Sequence, residues 1–195
     1  RLFNQSLAGQ IAWLLPLAVL GGIAAWGQMR PRLPLNRRQT ALVLWGTWLA
    51  TGVGFFSVAT SFTLMHRYYL AMLAPPLAAL AGIGLVALWR DYRRPARGGS
   101  IVLRLRGWLL PAAVAGTAGL AAWILRDYPD QSRWLTPFVL ITGLGSAGAL
   151  AWLRWQAGEM RSSSRLLPAL AAVALVAILT APTVWAGYAT WQGSN

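Results

Sequence analysis

Four consecutive side chains, those of residues 66 to 69, can all donate hydrogen bonds, and long apolar segments flank them on both sides. An arginine such as Arg67 can hold a phosphate through two parallel hydrogen bonds, and a neighbouring histidine and tyrosine can add donors. His66, Arg67, Tyr68 and Tyr69 are therefore a candidate phosphate-binding site. The alternative is an aromatic belt at a membrane boundary, in which Arg67 extends its charge into water.

Other residue types that carry chemistry are scarce in this chain. The sequence has no cysteine, one histidine and four acidic residues. Disulfides and thiolate chemistry are therefore excluded, and too few ligands remain for a convincing metal site. We expect no cofactor. Asp127 and Asp130 enclose Tyr128-Pro129, a pattern typical of a solvated turn, and we assign neither a catalytic role.

Long apolar segments occupy nearly all of the chain and must position the candidate site. Each runs for about 19 to 24 residues without a charged side chain, which at about 1.5 Å per residue crosses a hydrocarbon core of about 30 Å. We therefore predict an all-α, polytopic transmembrane helix bundle that forms a single domain. Its six spans are expected at 7–26, 41–64, 69–89, 107–125, 134–153 and 166–188.

The distribution of arginine predicts how these spans are oriented. All seventeen basic residues are arginine; thirteen lie in the breaks after the first, third and fifth spans, and four lie on the other side. The positive-inside rule places the thirteen in the cytoplasm and both ends of the chain outside it. Topology and lipid headgroups thus account for the net charge of +13, and we expect no nucleic-acid partner. Arg67 lies on the arginine-poor side, so topology does not explain it.

Two patterns concern the shape and packing of the spans. Pro75 and Pro76 fall inside the third predicted span, where they remove two backbone donors, so we expect a bend in that helix. Gly143 and Ala147 lie four residues apart in the fifth span. Small residues at this spacing let helix backbones approach closely in lipid, and we expect them at a helix contact.

Three segments of the chain carry a resemblance to a known family. They are the opening RLFNQSLAGQIAWLLPLA, the segment HRYYLAMLAPPLAALAGIGLVALW from His66 to Trp89, and ILTAPTVWAGYATW near the end. In matching order they resemble the bacterial integral-membrane glycosyltransferases of family 39, which are related to the protein O-mannosyltransferases. Many members have His-Pro-Tyr-Tyr where this chain has His66 to Tyr69, so Arg67 replaces the frequent proline.

The resemblance implies a fold of the GT-C type in the cell membrane. It also implies transfer of a hexose or similar sugar from a polyprenyl-phosphate donor to an extracytoplasmic acceptor. His66, Tyr68 and Tyr69 would contact this donor, and Arg67 is added on chemical grounds alone. The family's catalytic acid lies in an early outer loop that has no counterpart here. We therefore interpret the chain as the C-terminal membrane part of a longer enzyme and expect it to be inactive alone.

Two other functional classes remain open. A transporter or channel subunit usually carries ionisable residues near the middle of the bilayer. Here the charged side chains fall at span ends, which disfavours ion coupling but leaves a pathway for a neutral substrate. A non-catalytic membrane scaffold is the second alternative. For the transferase, the expected partners are membrane lipids and the polyprenyl-phosphate-linked sugar, with the oligomeric state left open.

Overall fold

The computed structural model describes residues 12–30, 33–58, 67–94, 101–156 and 166–193, and this part of the chain is helical without strands. Short 3-10 segments at Ala12–Leu14 and Arg67–Leu73 lead into the first and third α-helices. The predicted all-α class is confirmed. The α-helices are α1 (Leu15–Gly27), α2 (Arg37–Val58), α3 (Ala74–Arg93), α4 (Ile101–Arg106), α5 (Leu109–Leu125), α6 (Pro129–Gln156) and α7 (Leu166–Gly193).

Most of these helices are long and apolar enough to cross a membrane. An apolar helix at Ala12–Gly27 is shorter, and the predicted span 7–26 begins outside the described residues. Large apolar side chains such as Ile23 and Ile141 are mostly exposed, as a lipid-facing surface requires. The chain is a multi-pass membrane protein. Its five long candidate spans, within the described ranges, are Arg37–Val58, Leu70–Arg93, Ile101–Leu125, Pro129–Gln156 and Leu167–Tyr188.

The helices form two groups that are joined by contacts of α1 and of α3 with α5. In the first group α1 packs along α3, and α2 lies against α3 with a smaller contact to α1. In the second group α6 packs on both α5 and α7. One continuous cluster of buried apolar side chains therefore reaches from α1 and α3 to α6 and α7.

Glycine residues allow α1 and α3 to cross at close range. A Cβ atom added to Gly84 of α3 would lie 2.5 Å from the Cα atom of Gly21 on α1, so only glycine fits this crossing. This pair was not among the predicted helix contacts. A Cβ atom on Gly143 would lie 2.6 Å from the Cβ atom of Ala118, which places Gly143 at the α5–α6 contact as expected. Ala147 is buried beside it on α6.

The bend expected inside the third span stays a prediction. Pro75 and Pro76 occupy the first turn of α3, directly after the 3-10 segment Arg67–Leu73. The first turn of an α-helix has no intrahelical acceptor for its N–H groups, so proline costs little there. The pair therefore marks the start of α3. Pro137 and Pro182 do lie inside helices, in α6 and α7.

Contacts between helix ends show that the bundle has two distinct ends. At one end, Gln28 after α1 donates a hydrogen bond to the carbonyl of Ala87 in α3 (2.7 Å), and Gln39 in α2 donates to the carbonyl of Arg30 (2.8 Å). We call this the arginine-rich end. Its described arginines are Arg30, Arg37, Arg38, Arg90, Arg93, Arg94, Arg104, Arg106 and Arg154. The described arginines of the opposite, arginine-poor end are Arg67, Arg126 and Arg133. Which end faces the cytoplasm stays a prediction.

Candidate functional site

The predicted phosphate-binding residues lie at the arginine-poor end, between α2 and α3. Arg67, Tyr68 and Tyr69 are the first three residues of the 3-10 segment Arg67–Leu73. His66 lies outside the described residues. The structure thus places three of the four residues in one turn at the entrance to α3, and their role as a binding site stays a prediction.

Packing against α2 fixes the position of this segment. Leu70 and Leu73 are 3% and 1% exposed, and both belong to the main buried cluster. The Cδ2 atom of Leu73 fills the space that a Cβ atom on Gly52 would occupy, and Phe56 is buried in the same cluster. Lipid tails are as apolar as leucine, so close packing provides this anchorage. Arg67, Tyr68 and Tyr69 therefore directly precede residues that are closely packed against α2.

Asp127 and Asp130 also lie at the arginine-poor end, in the turn between α5 and α6. The N–H of Tyr128 donates to the carbonyl of Leu125 at 3.0 Å, and the Tyr128 ring lies 4.3 Å from the ring of Trp185 on α7. Asp130 is exposed in the first turn of α6, where a carboxylate is favoured by the helix dipole. A turn and a helix start thus account for both residues.

The most deeply buried charges of the described ranges lie at the arginine-rich end, where sequence analysis missed them. Arg154 on α6 is only 6% exposed, and Asp91 on α3 is 1% exposed. The Nη1 atom of Arg154 donates to the carbonyl of Tyr92 at 2.6 Å and to that of Arg94 at 3.4 Å. Its Nη2 atom donates to the carbonyl of Arg104 at 3.3 Å. One guanidinium therefore ties α6 to the end of α3 and to α4.

We call Asp91, Tyr92, Arg94 and Arg154 the Arg154 cluster. The Cζ atom of Arg154 lies 5.7 Å from the centre of the Tyr92 ring, within cation–π range, and the Tyr92 hydroxyl donates to the carbonyl of Leu150 at 2.8 Å. Asp91 pairs with Arg94 at 2.9 Å, although neither carboxylate oxygen has a partner with hydrogen-bond geometry. The signal in the sequence is Asp91 itself, because an acid in an otherwise basic break indicates charge pairing.

This cluster is a structural element rather than a site open to substrate. Both Nη atoms of Arg154 donate to backbone carbonyls, its Nε is buried without a partner, and a Cβ atom on Gly107 would overlap the guanidinium, so no room is left beside it. Within the part of the chain that the structure describes, no three residues among His, Cys, Asp and Glu are grouped closely enough to hold a metal ion. Nothing in the cluster is placed to transfer a group.

An open apolar groove lies between α1 and α2. Its volume is 640 Å³, and its walls are apolar side chains and glycines, with Arg106 as the charged residue. Leu80 of α3 and Leu109 of α5 also line it. A groove of this composition suits a hydrocarbon chain better than a sugar, because it offers few hydrogen-bond partners.

Two curated proteins of Bacillus subtilis match this chain along its whole length. "Putative mannosyltransferase YkcB" is 38% identical over 200 residues, and "Putative mannosyltransferase YycA" is 36% identical over 199 residues. Each match covers 100% of this chain but only 25% and 26% of the two relatives, so the chain spans about a quarter of their length. No family model and no solved structure matches the chain.

These matches bear on the classes of protein that the sequence left open. Both relatives are named for sugar transfer, and neither name refers to transport or to a scaffold. The resemblance to membrane glycosyltransferases is confirmed. The chain is homologous, from its first helix to its last, to a quarter of two bacterial proteins that are named as mannosyltransferases.

Proposed function

We propose that the intact protein is a membrane glycosyltransferase that moves a hexose or similar sugar from a polyprenyl-phosphate donor to an extracytoplasmic acceptor. The observation that carries this proposal is the homology of the whole chain to two proteins named as mannosyltransferases. It favours sugar transfer over the transporter, channel and scaffold alternatives. In this proposal the chain contributes membrane helices and the site for the donor phosphate.

The donor site consists of His66, Arg67, Tyr68 and Tyr69. The 3-10 segment that begins at Arg67 lies at the arginine-poor end, which the positive-inside rule assigns to the extracytoplasmic boundary. A lipid phosphate lies at that depth. Arg67 neutralises it, His66 and Tyr68 donate hydrogen bonds, and Tyr69 forms part of the helix wall.

The proposal requires an acidic residue that acts as a catalytic base, from another part of the intact protein. An acceptor hydroxyl must lose a proton as the sugar is transferred, and a carboxylate is suited to accept it. Asp127 and Asp130 are accounted for by the α5–α6 turn, and Asp91 is buried at the other end of the bundle. We therefore expect this chain alone to give only background turnover with a labelled polyprenyl-phosphate sugar.

Substitution of Arg67 in the intact protein tests the donor site. A hydrogen bond to a charged group contributes about 1.5–3 kcal/mol, so Arg67→Ala should weaken donor affinity roughly ten- to a hundredfold. Arg67→Lys should recover only part of it, because lysine lacks the two-pronged geometry of the guanidinium. The matched control is Arg133→Ala, which removes an exposed arginine at the same end. Donor affinity that is unchanged in Arg67→Ala at equal expression would refute the site.

Cysteine accessibility tests the proposed orientation. This chain contains no cysteine, so single cysteines at Gly98 and Asp130 add defined labelling sites. An impermeant thiol reagent applied to intact cells should label Asp130→Cys and leave Gly98→Cys unlabelled until the membrane is opened. The reverse pattern would place the candidate donor site in the cytoplasm and contradict transfer at the extracytoplasmic face.

A further inference from the structure

The groove between α1 and α2 has the length of one membrane leaflet. Its lining runs from Leu15 to Gly27 on α1 and from Leu42 to Val53 on α2. At about 1.5 Å per residue each wall is about 16–18 Å long, close to half of a hydrocarbon core of about 30 Å. The groove therefore accommodates a hydrocarbon chain that enters from one membrane surface and ends near the bilayer centre.

A single cationic side chain stands at the arginine-rich end of this groove. Arg106 is half-buried at the end of α4, and its Nη1 atom donates to the carbonyl of Gly27 at 2.5 Å. No acidic side chain pairs with it among residues 12–30, 33–58, 67–94, 101–156 and 166–193. A guanidinium has five N–H donors, so most of its capacity is left for an anion.

We propose that the groove binds an anionic glycerophospholipid of the leaflet at the arginine-rich end, with one acyl chain between α1 and α2 and the phosphate on Arg106. Charge complementarity selects this occupant, because a phosphate accepts two hydrogen bonds from the guanidinium that the apolar walls present. Arg30, Arg37 and Arg38 add positive charge where α1 ends and α2 begins, which favours anionic headgroups further.

The groove is separate from the proposed donor site. Its charged end lies beside Gly27, at the arginine-rich end, whereas Arg67 begins the 3-10 segment at the arginine-poor end. The two phosphates would therefore lie in opposite leaflets. The lipid proposal does not depend on sugar transfer, and either can fail without the other.

Two glycines make the groove open to a specific test. Gly22 on α1 and Gly46 on α2 both line it, and a Cβ atom added to either would meet no heavy atom within 4 Å. A leucine at either position extends into the groove without a clash against the backbone. Gly54 on α2 is the matched control, because a Cβ atom there also meets nothing within 4 Å and Gly54 does not line the groove.

The experiment measures lipid binding to the purified intact protein in detergent, by native mass spectrometry with added phosphatidylglycerol or phosphatidylcholine. We expect phosphatidylglycerol to bind about fivefold more tightly and Arg106→Gln to abolish that preference, because both lipids carry a phosphate but only phosphatidylglycerol has a net negative charge beside the cationic side chain. Gly46→Leu should lose both lipids at this site, with Gly22→Leu as the second variant if Gly46→Leu does not fold. Gly54→Leu should bind as the parent does.

Four results would overturn the proposal. Equal affinity for the two lipids in the parent protein would show that Arg106 does not select an anionic lipid. Retention of phosphatidylglycerol by folded Gly46→Leu or Gly22→Leu would place the lipid elsewhere. Co-purification of a polyprenyl phosphate that Arg106→Gln releases, or the absence of any bound lipid, would show that the donor lipid or another protein segment fills the groove.

Discussion

Arg154 and Arg106 lie at the same end of the bundle, yet their surroundings differ completely. Arg154 is 6% exposed and donates to three backbone carbonyls, while Arg106 donates to the carbonyl of Gly27 and faces an open apolar groove. The Nη atoms of Arg154 are bonded inside the protein and its Nε is buried without a partner, whereas Arg106 makes one such bond and keeps its other donors beside the groove. The comparison separates an arginine that holds helices together from one that is available to a ligand.

Neither role can be read from the local sequence. Both arginines follow a leucine and precede an apolar or small residue, in Leu153-Arg154-Trp155 and Leu105-Arg106-Gly107. Both also satisfy the positive-inside rule. The difference arises from what packs beside them, since α3 closes around Arg154, whereas the space beside Arg106 is left open between α1 and α2.

The largest effect is expected from Arg154→Ala. It leaves three backbone carbonyls without their donor and removes a positive charge that attracts buried Asp91; because one unsatisfied buried acceptor costs about 1–3 kcal/mol, the folding free energy should fall by several kcal/mol. Denaturant unfolding of the purified intact protein measures the loss. Arg133→Ala is the control, because Arg133 is an exposed arginine on the same helix. A loss no greater than that of the control would mean that Arg154 does not hold α3 and α6 together.

A smaller loss of folding free energy is expected from Gly84→Val. This variant tests whether the close α1–α3 crossing holds one wall of the groove in place. The added side chain would overlap the backbone of α1 at Gly21, and overpacking of this kind costs about 1–3 kcal/mol. Displacement of α1 should also reduce binding of phosphatidylglycerol, because α1 forms one wall of the groove. The control is Gly82→Val, since a Cβ atom on Gly82 meets nothing within 4 Å. Equal stability of the two variants would contradict the close α1–α3 crossing.

The third variant, Arg106→Gln, should lose about 1 kcal/mol of folding free energy when no lipid is added. Only the hydrogen bond to Gly27 is lost, and that is the ordinary value of one hydrogen bond. Added phosphatidylglycerol should raise the melting temperature of the parent protein more than that of Arg106→Gln. A loss as large as that of Arg154→Ala would erase the distinction between the two arginines.

The sequence was sufficient for the helical class and for the two ends of the bundle, because apolar length and arginine position are local properties. It also led to the glycosyltransferase resemblance through the segment that begins at His66. It was insufficient for the Arg154 cluster, whose hydrogen bonds join residues 50 to 62 positions apart and use backbone carbonyls that every residue possesses. The groove could not be predicted from the sequence either, because it arises where α1 and α2 are not closely packed against each other.

The smallest loss of folding free energy is expected from Arg94→Gln. This variant tests how much Arg94, as distinct from Arg154, stabilises the Asp91 carboxylate. The Arg94 side chain is 44% exposed, whereas that of Asp91 is 1% exposed, so solvent and salt screen their 2.9 Å pair from one side. Pairs with an exposed member contribute about 0–1 kcal/mol, and the backbone carbonyl of Arg94 still accepts from Arg154 in the variant.

Unfolding of Arg94→Gln at low and high salt measures this contribution. The difference from the parent protein should shrink as salt rises, because screening already weakens the pair. Arg94→Lys should behave as the parent does, since a point charge is enough here. A loss that equals that of Arg154→Ala and is independent of salt would show that Arg94 compensates the buried carboxylate. The structural role assigned to Arg154 would then be limited to its carbonyl contacts.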